Sequence, residues 1–349
     1  MRYPKVSIVM LCWNNVDEVL GFLQYIIQID YPRYDIIVVD NGSTTGNVQK
    51  IEDAYPQIHV IHNATNLGWG GGNNVALEYV FKKGSDYAWI VNTDARLEPE
   101  TLIRLVNAAQ ANDQVGMVSP VIYFLGKKDR IQNCGSTVDW KKFTLKDFCS
   151  LEDVQKADKT KLLLWGTSLL IKRSVFETIG CFDSNVFVYT EDIDYSCRSN
   201  TAGFLNVIVP EARIYHESHS VDIGGEKCQP IHWFFYISRN EYYFWMKYLK
   251  GFSRIIFFRH YFLLIMERVI RYHNDDSMRQ NVHAALDGYY CGVKELSGEW
   301  KDDIHMPAYL KKFLLKHPCF IYDLFSGRIL VILTQLVKKA KNKLLRMQT

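Results

Sequence analysis

Four short apolar runs punctuate the first hundred residues, at 6–11, 36–39, 59–61 and 87–91, and each closes on polar residues. Runs of this length between polar loops predict strands buried in a sheet. Between the first two, Val19, Leu20, Leu23, Ile26 and Ile27 recur at helical spacing over residues 17–29. Between the last two, Val75, Leu77, Val80 and Phe81 offer a helix face over 73–83, closed by Gly84. Strand alternating with helix predicts an α/β sandwich around a largely parallel sheet. In such sheets ligands gather at the carboxyl ends of the strands. Those ends are Cys12-Trp13-Asn14-Asn15, Asp40-Asn41-Gly42-Ser43, His62-Asn63 and Asn92-Thr93-Asp94. Asn92 and Asp94, two positions apart in an extended chain, aim to the same side.

Residues 126–161 are rich in Lys and Asp and show no clear period. Regular pattern returns with "LLLWGTSLLIKRSVFETIGCFD" and "VYTEDIDYSCRSNTAGFLNVIVPEARIYHESHS". Beyond His232 the chain turns aromatic, basic and helical in pattern, so a catalytic domain is expected over 1–230 and a helical extension over 231–349. The chain has 349 residues, 48% of them hydrophobic and 14% aromatic, enough for a sizeable core. Its eight cysteines form no CxxC pair and the first residues lack a secretory n-region, which predicts a reduced, cytoplasmic protein. A net charge of +3 argues against a general nucleic-acid binder.

No uninterrupted apolar stretch is long enough to span a bilayer. Residues 326–349 nevertheless carry Arg328, Lys338, Lys339, Lys341, Lys343 and Arg346 with no acid, and Leu330, Leu333, Val337, Ala340 and Leu344 fall on one helical face. That segment suits contact with an anionic membrane surface, peripheral on the inner face of the plasma membrane. It equally suits packing on the protein's own core or on a partner subunit.

The candidate chemistry narrows by exclusion. "LCWNN" after the first strand has no glycine, and no Walker A sequence occurs, so dinucleotide and P-loop readings fall away. Gly68, Gly70, Gly71 and Gly72 instead follow the third strand. They read either as a flexible loop before an N-capping Asn73 or as a place where backbone approaches a ligand. Asp40 reads either as a cap of the Gly42-Ser43 turn or as a ligand contact. A diphosphate ligand would call for a hard divalent cation, which Asp94 with Asn92 could hold or support.

"VSIVMLCWNN", "YDIIVVDNGST", "NLGWGGGNN", "NTDARLEP", "WGTSLLIKRSVFETIGCFD", "VYTEDIDYSCR" and "YHESHS" stand in the order and approximate spacing of family 2 glycosyltransferases. Over roughly residues 5–250 the chain resembles the bacterial rhamnosyltransferase branch of that family, relatives of which transfer galactofuranose. The resemblance implies a GT-A, Rossmann-like nucleotide-diphospho-sugar transferase fold. It implies an inverting enzyme that uses Mg²⁺ or Mn²⁺ and a nucleoside-diphosphate sugar donor, dTDP-L-rhamnose foremost. The acceptor would be a bacterial surface polysaccharide, a cell-wall glycan or a lipid-linked glycan. By the same resemblance Asp40 contacts base or ribose, and Asn14 and Asn66 line the nucleotide pocket. Asp94 is the metal ligand of a DxD-like motif whose first position is Asn92, and His216 is a second ligand. Trp165 and Gly166 border the donor and acceptor pockets, and Asp192 is the catalytic base.

Two positions depart from the family pattern: Asn92 replaces the first carboxylate of DxD, and Thr45 stands where relatives often carry Asp. Glu191 is the alternative base, and Glu191 or Asp192 could instead cap a helix through Tyr195 and Arg198. Asp194 suits a first-turn position. The family pattern favours His216 over His219 because it follows a Pro-containing turn over 210–214. Most of "HWFFYISRNEYYFWMKYL" reads as a core helix, with Arg239 and Asn240 as candidate site residues. A noncatalytic sugar-nucleotide-binding scaffold subunit is the alternative of a different class. A nucleotidyltransferase is disfavoured by the missing glycine-rich activating loop.

Overall fold

The structure, a computed structural model, describes residues 3–127, 129–217, 221–223, 226–272, 275–301 and 305–327. The chain divides into two compact units, residues 1–219 and 220–349. Residue 230, near which a boundary is expected from the sequence, immediately precedes a long helix of the second unit. His219 and residues 328–349, most of the basic tail, lie outside the described residues.

The first unit runs β1 (Val6–Cys12), α1 (Val16–Ile26), β2 (Tyr34–Asp40), α2 (Gln49–Ala54), β3 (His59–His62), α3 (Gly68–Lys82), β4 (Tyr87–Val91) and β5 (Ala95–Leu97). It continues with α4 (Thr101–Gln110), β6 (Val115–Phe124), β7 (Ile131–Asn133), β8 (Ser136–Asp139), β9 (Thr144–Asp147), α5 (Leu151–Lys156), β10 (Ser168–Lys172), α6 (Arg173–Ile179), α7 (Glu191–Thr201) and β11 (Leu205–His216). The main sheet has the order β3-β2-β1-β4-β10-β6-β11-β5, with β7 beside β6. Strands β1, β2, β3 and β4 pair in parallel, as do β6 and β11, whereas β10 and β5 run antiparallel to their neighbours. The sheet is therefore more mixed than strand-helix alternation predicted.

The alternation of side chains along each strand splits the core between the two faces. Ile8, Met10 and Trp89 pack with Phe22 and Leu23 of α1 and Leu105 of α4 on one face. Val9, Ala88 and Ile90 pack with Leu77, Val80 and Phe81 of α3 and Val175 of α6 on the other. Both faces are covered, which is why β1 and β4 read as continuous apolar runs rather than alternating ones.

Three local expectations are corrected. Helix α3 begins at Gly68, not near residue 73, so the glycines form its first turns and Asn73 is buried inside it, bonding back to the Trp69 carbonyl. Segment 126–161 contains β7, the β8–β9 hairpin and α5. The Pro-containing stretch before His216 is an irregularity within one strand, because the β6–β11 register slips between Val209 and Arg213.

The second unit runs β12 (Val221–Ile223), β13 (Glu226–Cys228), α8 (Ile231–Tyr248), α9 (Phe252–Tyr272), α10 (Arg279–Val293), α11 (Ala308–Lys316) and α12 (Pro318–Ser326). Its core is aromatic: Tyr242, Trp245, Phe257, Tyr261 and Tyr289 meet ring to ring where α8, α9 and α10 pack together. Gly288 permits that packing, since a Cβ there would lie 2.1 Å from the Phe235 carbonyl oxygen. Among the described residues no helix is long and apolar enough to cross a membrane.

Candidate active site

Parallel register brings the ends of β1, β2 and β3 level, with Cys12 opposite Asp40 and Asp40 opposite His62. Asn14, at φ 60°, accepts from the N–H groups of Thr44 and Thr45, each at 2.8 Å. It tolerates that left-handed backbone better than most residues would, and it joins the loop after β1 to the loop after β2. Asp40 Oδ1 accepts from Ser43 N–H at 3.0 Å, and Oδ2 lies 3.2 Å from His62 Nδ1. The turn-capping alternative for Asp40 thus has its hydrogen bond.

Asn41, which stands in the strand-end run after β2 and to which the sequence alone assigns no role, organises the next loop. Its amide donates to Asn66 Oδ1 at 2.9 Å and to the Gly68 carbonyl at 3.0 Å, while its oxygen accepts from Asn63 and from Leu67 N–H. Asn66 Oδ1 also accepts from Gly68 N–H at 2.9 Å. Gly68 stands at φ 75°, and a Cβ there would lie 2.1 Å from the Phe187 carbonyl oxygen. That carbonyl accepts from Trp69 N–H at 2.7 Å. Only glycine lets the head of α3 approach the segment before α7 so closely.

Trp69 carries the connection onward. Its indole N–H donates to Asn92 Oδ1 at 3.3 Å, and its six-membered ring covers Gly166, where a Cβ would come within 2.9 Å. Gly166 N–H in turn donates to Asp192 Oδ2 at 2.6 Å. Trp165 is anchored by an indole N–H to Ser136 Oγ contact of 3.2 Å. Asn92, Trp69, Gly166 and Asp192 therefore form one continuous wall.

Tyr189 and Thr190 both have positive φ, 68° and 73°, just before α7. Strain of about 1–3 kcal/mol at each such residue persists only where surroundings enforce it, and here it delivers two adjacent carboxyls to different environments. Asp192 is half-buried, with Oδ2 on Gly166 N–H and Oδ1 on Ile193 N–H at 2.8 Å. Glu191 is buried, beside Gly70, and its Oε2 has no hydrogen-bond partner. Burial raises both carboxyls above their ordinary values, Glu191 strongly, and the charge of Asp192 adds to the rise at Glu191. Neither caps the helix; both lie in its first turn, after Thr190. Asp194 pairs with Arg198 at 2.9 Å, and Arg198 donates to the carbonyls of Ile179 and Cys181. That pair fastens α7 to the preceding loop.

Antiparallel pairing of β5 with β11 sets Ala95 opposite His216 and so brings the preceding Asp94 beside the imidazole. Asp94 Oδ2 lies 3.1 Å from His216 Nε2, and Gln132 Oε1 lies 3.0 Å from Nδ1. A neutral imidazole has one N–H, so with Nδ1–H donating to Gln132 the Nε2 lone pair beside Asp94 is the donor that a metal ion would take. This donor set fits a divalent cation with Asp94 and His216 as its protein ligands. Among the described residues no group of three or more His, Cys, Asp or Glu side chains could hold a metal ion, so a cation here would need further oxygens from outside the protein's side chains. Gln132, in the segment without sequence pattern, was not among the expected site residues. Arg239 and Asn240 belong to the second unit, where Arg239 is buried among the Phe235, Tyr236 and Tyr243 rings and donates to Asn240 Oδ1 at 2.9 Å and to the Gly298 carbonyl at 2.6 Å.

A mixed sheet whose strand ends carry these polar residues, followed by a helical region, is the GT-A fold of glycosyltransferases. The chain belongs to glycosyl transferase family 2, whose family model matches residues 7–180. It is 27% identical over 206 residues to the N-acetylglucosaminyl-diphospho-decaprenol L-rhamnosyltransferase of Mycobacterium tuberculosis, an alignment covering 53% of this chain and 67% of that one. It is 24% identical over 199 residues to the dTDP-rhamnosyl transferase RfbF of Shigella flexneri, covering 56% and 64% respectively. Among solved structures, the mannosyltransferase PcManGT from Pyrobaculum calidifontis in complex with GDP-Man and Mn²⁺ superposes with a TM-score of 0.52 at 17% identity, over 98% of this chain and 88% of that one. The GT-A fold with a helical C-terminal region is thus shared with known glycosyltransferases.

Proposed function

We propose that this protein is an inverting, metal-dependent glycosyltransferase that moves L-rhamnose from dTDP-L-rhamnose onto a bacterial surface polysaccharide, cell-wall glycan or lipid-linked glycan. The observation that carries the reading is the wall from Asn92 through Trp69 and Gly166 to Asp192, which links the strand end bearing the Asp94–His216 pair to a helix-borne carboxylate. The rhamnosyl relatives support the choice of donor.

In this reading an acceptor hydroxyl attacks the anomeric carbon from the Asp192 side. The new C–O bond forms as the bond to the diphosphate oxygen breaks, the electron pair leaves with the nucleoside diphosphate, and the hydroxyl proton passes to Asp192. Its hydrogen bonds to Gly166 and Ile193 orient the carboxylate, and burial keeps it a better base than an exposed Asp. Glu191, the alternative acceptor, is buried beside Gly70 and does not share the Gly166 and Ile193 hydrogen bonds that orient Asp192. A divalent cation held by Asp94 and His216 would offset the charge that develops on the leaving diphosphate. Asn14, Asp40 and Asn66 shape the loops on the nucleotide side, and Trp165 and Gly166 shape the sugar side.

The test is donor turnover across dTDP-rhamnose, UDP-hexoses and UDP-galactofuranose with Mg²⁺ or Mn²⁺. Preference for dTDP-rhamnose supports the reading, and preference for a UDP-sugar replaces the donor. No turnover of any donor, with and without glycan acceptors, would favour the scaffold alternative.

A further inference from the structure

We propose that the second unit docks onto an anionic lipid bilayer through the first two turns of α9 and the end of α12. Large apolar side chains there project into solvent: Phe252 is 72% exposed and Ile255 64%, with Ile256 and Phe258 beside them. Leu324 and Phe325 at the end of α12 are also exposed. The two groups are neighbours, because the Arg259 guanidinium donates to the carbonyls of Phe325 at 2.8 Å and Ser326 at 3.0 Å, and the Phe262 and Phe325 rings meet at 4.8 Å. The opposite stripe of α9, Phe257, Tyr261, Ile265 and Val269, is the one committed to the core. Apolar residues clustered on the outer face of a helix are unlike the scattered exposure of ordinary surfaces and mark an interaction site.

Charge selects the partner. From Tyr242 to Met266 the sequence has no acidic residue and carries Lys247, Lys250, Arg254 and Arg259. After Gly327 it continues for 22 residues, again without an acid and with six Lys or Arg. Exposed aromatic and aliphatic side chains flanked by basic ones match an interfacial helix on an anionic headgroup layer. The apolar side chains protrude rather than line a groove, which suits entry into a soft interface better than lock-and-key contact with a folded partner. This surface lies on α9 and α12 and does not use the basic tail alone, and it is independent of the transfer reading, since it involves none of the site residues.

The test is co-sedimentation of the full chain with phosphatidylcholine vesicles with and without phosphatidylglycerol. Binding is expected to require phosphatidylglycerol and to weaken with salt. Phe252→Ser with Ile255→Ser should lower it by about tenfold or more, because two exposed apolar side chains that would enter the bilayer interface are removed. Lys250→Glu should weaken it independently. Both variants should turn over the donor in solution at the wild-type rate, so failure of this proposal and failure of the transfer reading are separable. The proposal is overturned if the double variant binds vesicles as well as wild type. It is equally overturned if neutralising Lys338, Lys339, Lys341 and Lys343 to Gln abolishes binding while the double variant is inert. Loss of a wild-type dimer in the double variant without loss of lipid binding would assign the face to a second copy instead.

Discussion

Gly166 N–H donates to Asp192 Oδ2 over 2.6 Å, so a residue outside α7 fixes the carboxylate at the head of that helix. Asn at position 192 can accept the same hydrogen bond and is nearly the same size, but it cannot take a proton. Asp192→Asn is therefore expected to fold normally and to bind the donor nucleotide with little change. Transfer should fall by about 10²- to 10⁴-fold, the usual worth of general-base assistance. Isothermal titration with the nucleoside diphosphate and initial-rate transfer assays read the two quantities separately. Wild-type transfer by the variant would move the base elsewhere, and joint loss of binding and transfer would make Asp192 a structural or metal-holding group.

The Asp94–His216 pair predicts a specific cation dependence. Asp94→Ala removes the only carboxylate of the pair, and His216→Ala removes the nitrogen that faces it at 3.1 Å. Each variant should raise the Mn²⁺ concentration needed for half-maximal transfer, and Asp94→Ala should also weaken cation-dependent donor binding. Gln132→Leu should act in the same direction but less, because it removes only the partner of Nδ1; such supporting residues typically contribute about 10- to 100-fold in metal affinity. Titrating Mn²⁺ by its paramagnetic resonance signal, with and without nucleotide, measures this without relying on activity. An unchanged titration for Asp94→Ala would remove it as a ligand.

Much of the first unit is legible because apolar runs closing on polar residues are produced by a sheet covered on both faces. The strand ends that carry Asn14, Asp40, Asn92 and Asp94 follow directly from that pattern. The start of α3 was not legible, since Gly68, Gly70, Gly71 and Gly72 have poor intrinsic helix propensity and only tertiary contact with Leu11, Asn41 and Phe187 explains them. Gln132 sits in a three-residue strand, too short to leave a period. The meeting of Asp94 with His216 depends on β5 pairing with β11, a long-range choice that local pattern does not encode and that only resemblance to a family supplied. Local pattern does not separate Asp192 from Glu191, and only the resemblance favours Asp192; the αL pair Tyr189-Thr190 turns Glu191 to the protein interior and Asp192 towards Gly166.

The close approach at Gly68 is testable as a stability effect. Alanine there meets the Phe187 carbonyl oxygen at 2.1 Å in addition to a positive φ. Gly84, at φ 88° with open space around it, isolates the backbone contribution alone. Gly84→Ala should cost about 1–2 kcal/mol. Gly68→Ala should cost more, by a further amount of about 1–3 kcal/mol, because the backbone on both sides must shift. Urea unfolding of the two variants gives the comparison. Equal losses would mean that the 187–190 segment yields freely and does not set the position of α7.

Glu191 gives a prediction with a defined sign in pH. Its carboxyl is raised well above the ordinary value in the folded chain, first by burial and then by the charge of Asp192. Below the ordinary carboxylate value, folded and unfolded chains both hold the proton, and stability from this group is fully present. As pH rises, the unfolded chain releases the proton first while the fold retains it, so stability falls across the window up to the folded value. Glu191→Gln keeps size and polarity without titrating. The difference between wild-type and variant unfolding free energies, measured over a pH series, should therefore grow in favour of the variant as pH rises from the ordinary glutamate range towards neutrality. Asp192 titrates in both proteins, so its own raised value largely drops out of that difference. The same variant should retain most transfer activity at neutral pH if Asp192 alone accepts the acceptor proton. A difference that ran the other way would mean that Glu191 is ionised in the fold, and loss of transfer with normal nucleotide binding would make it the base.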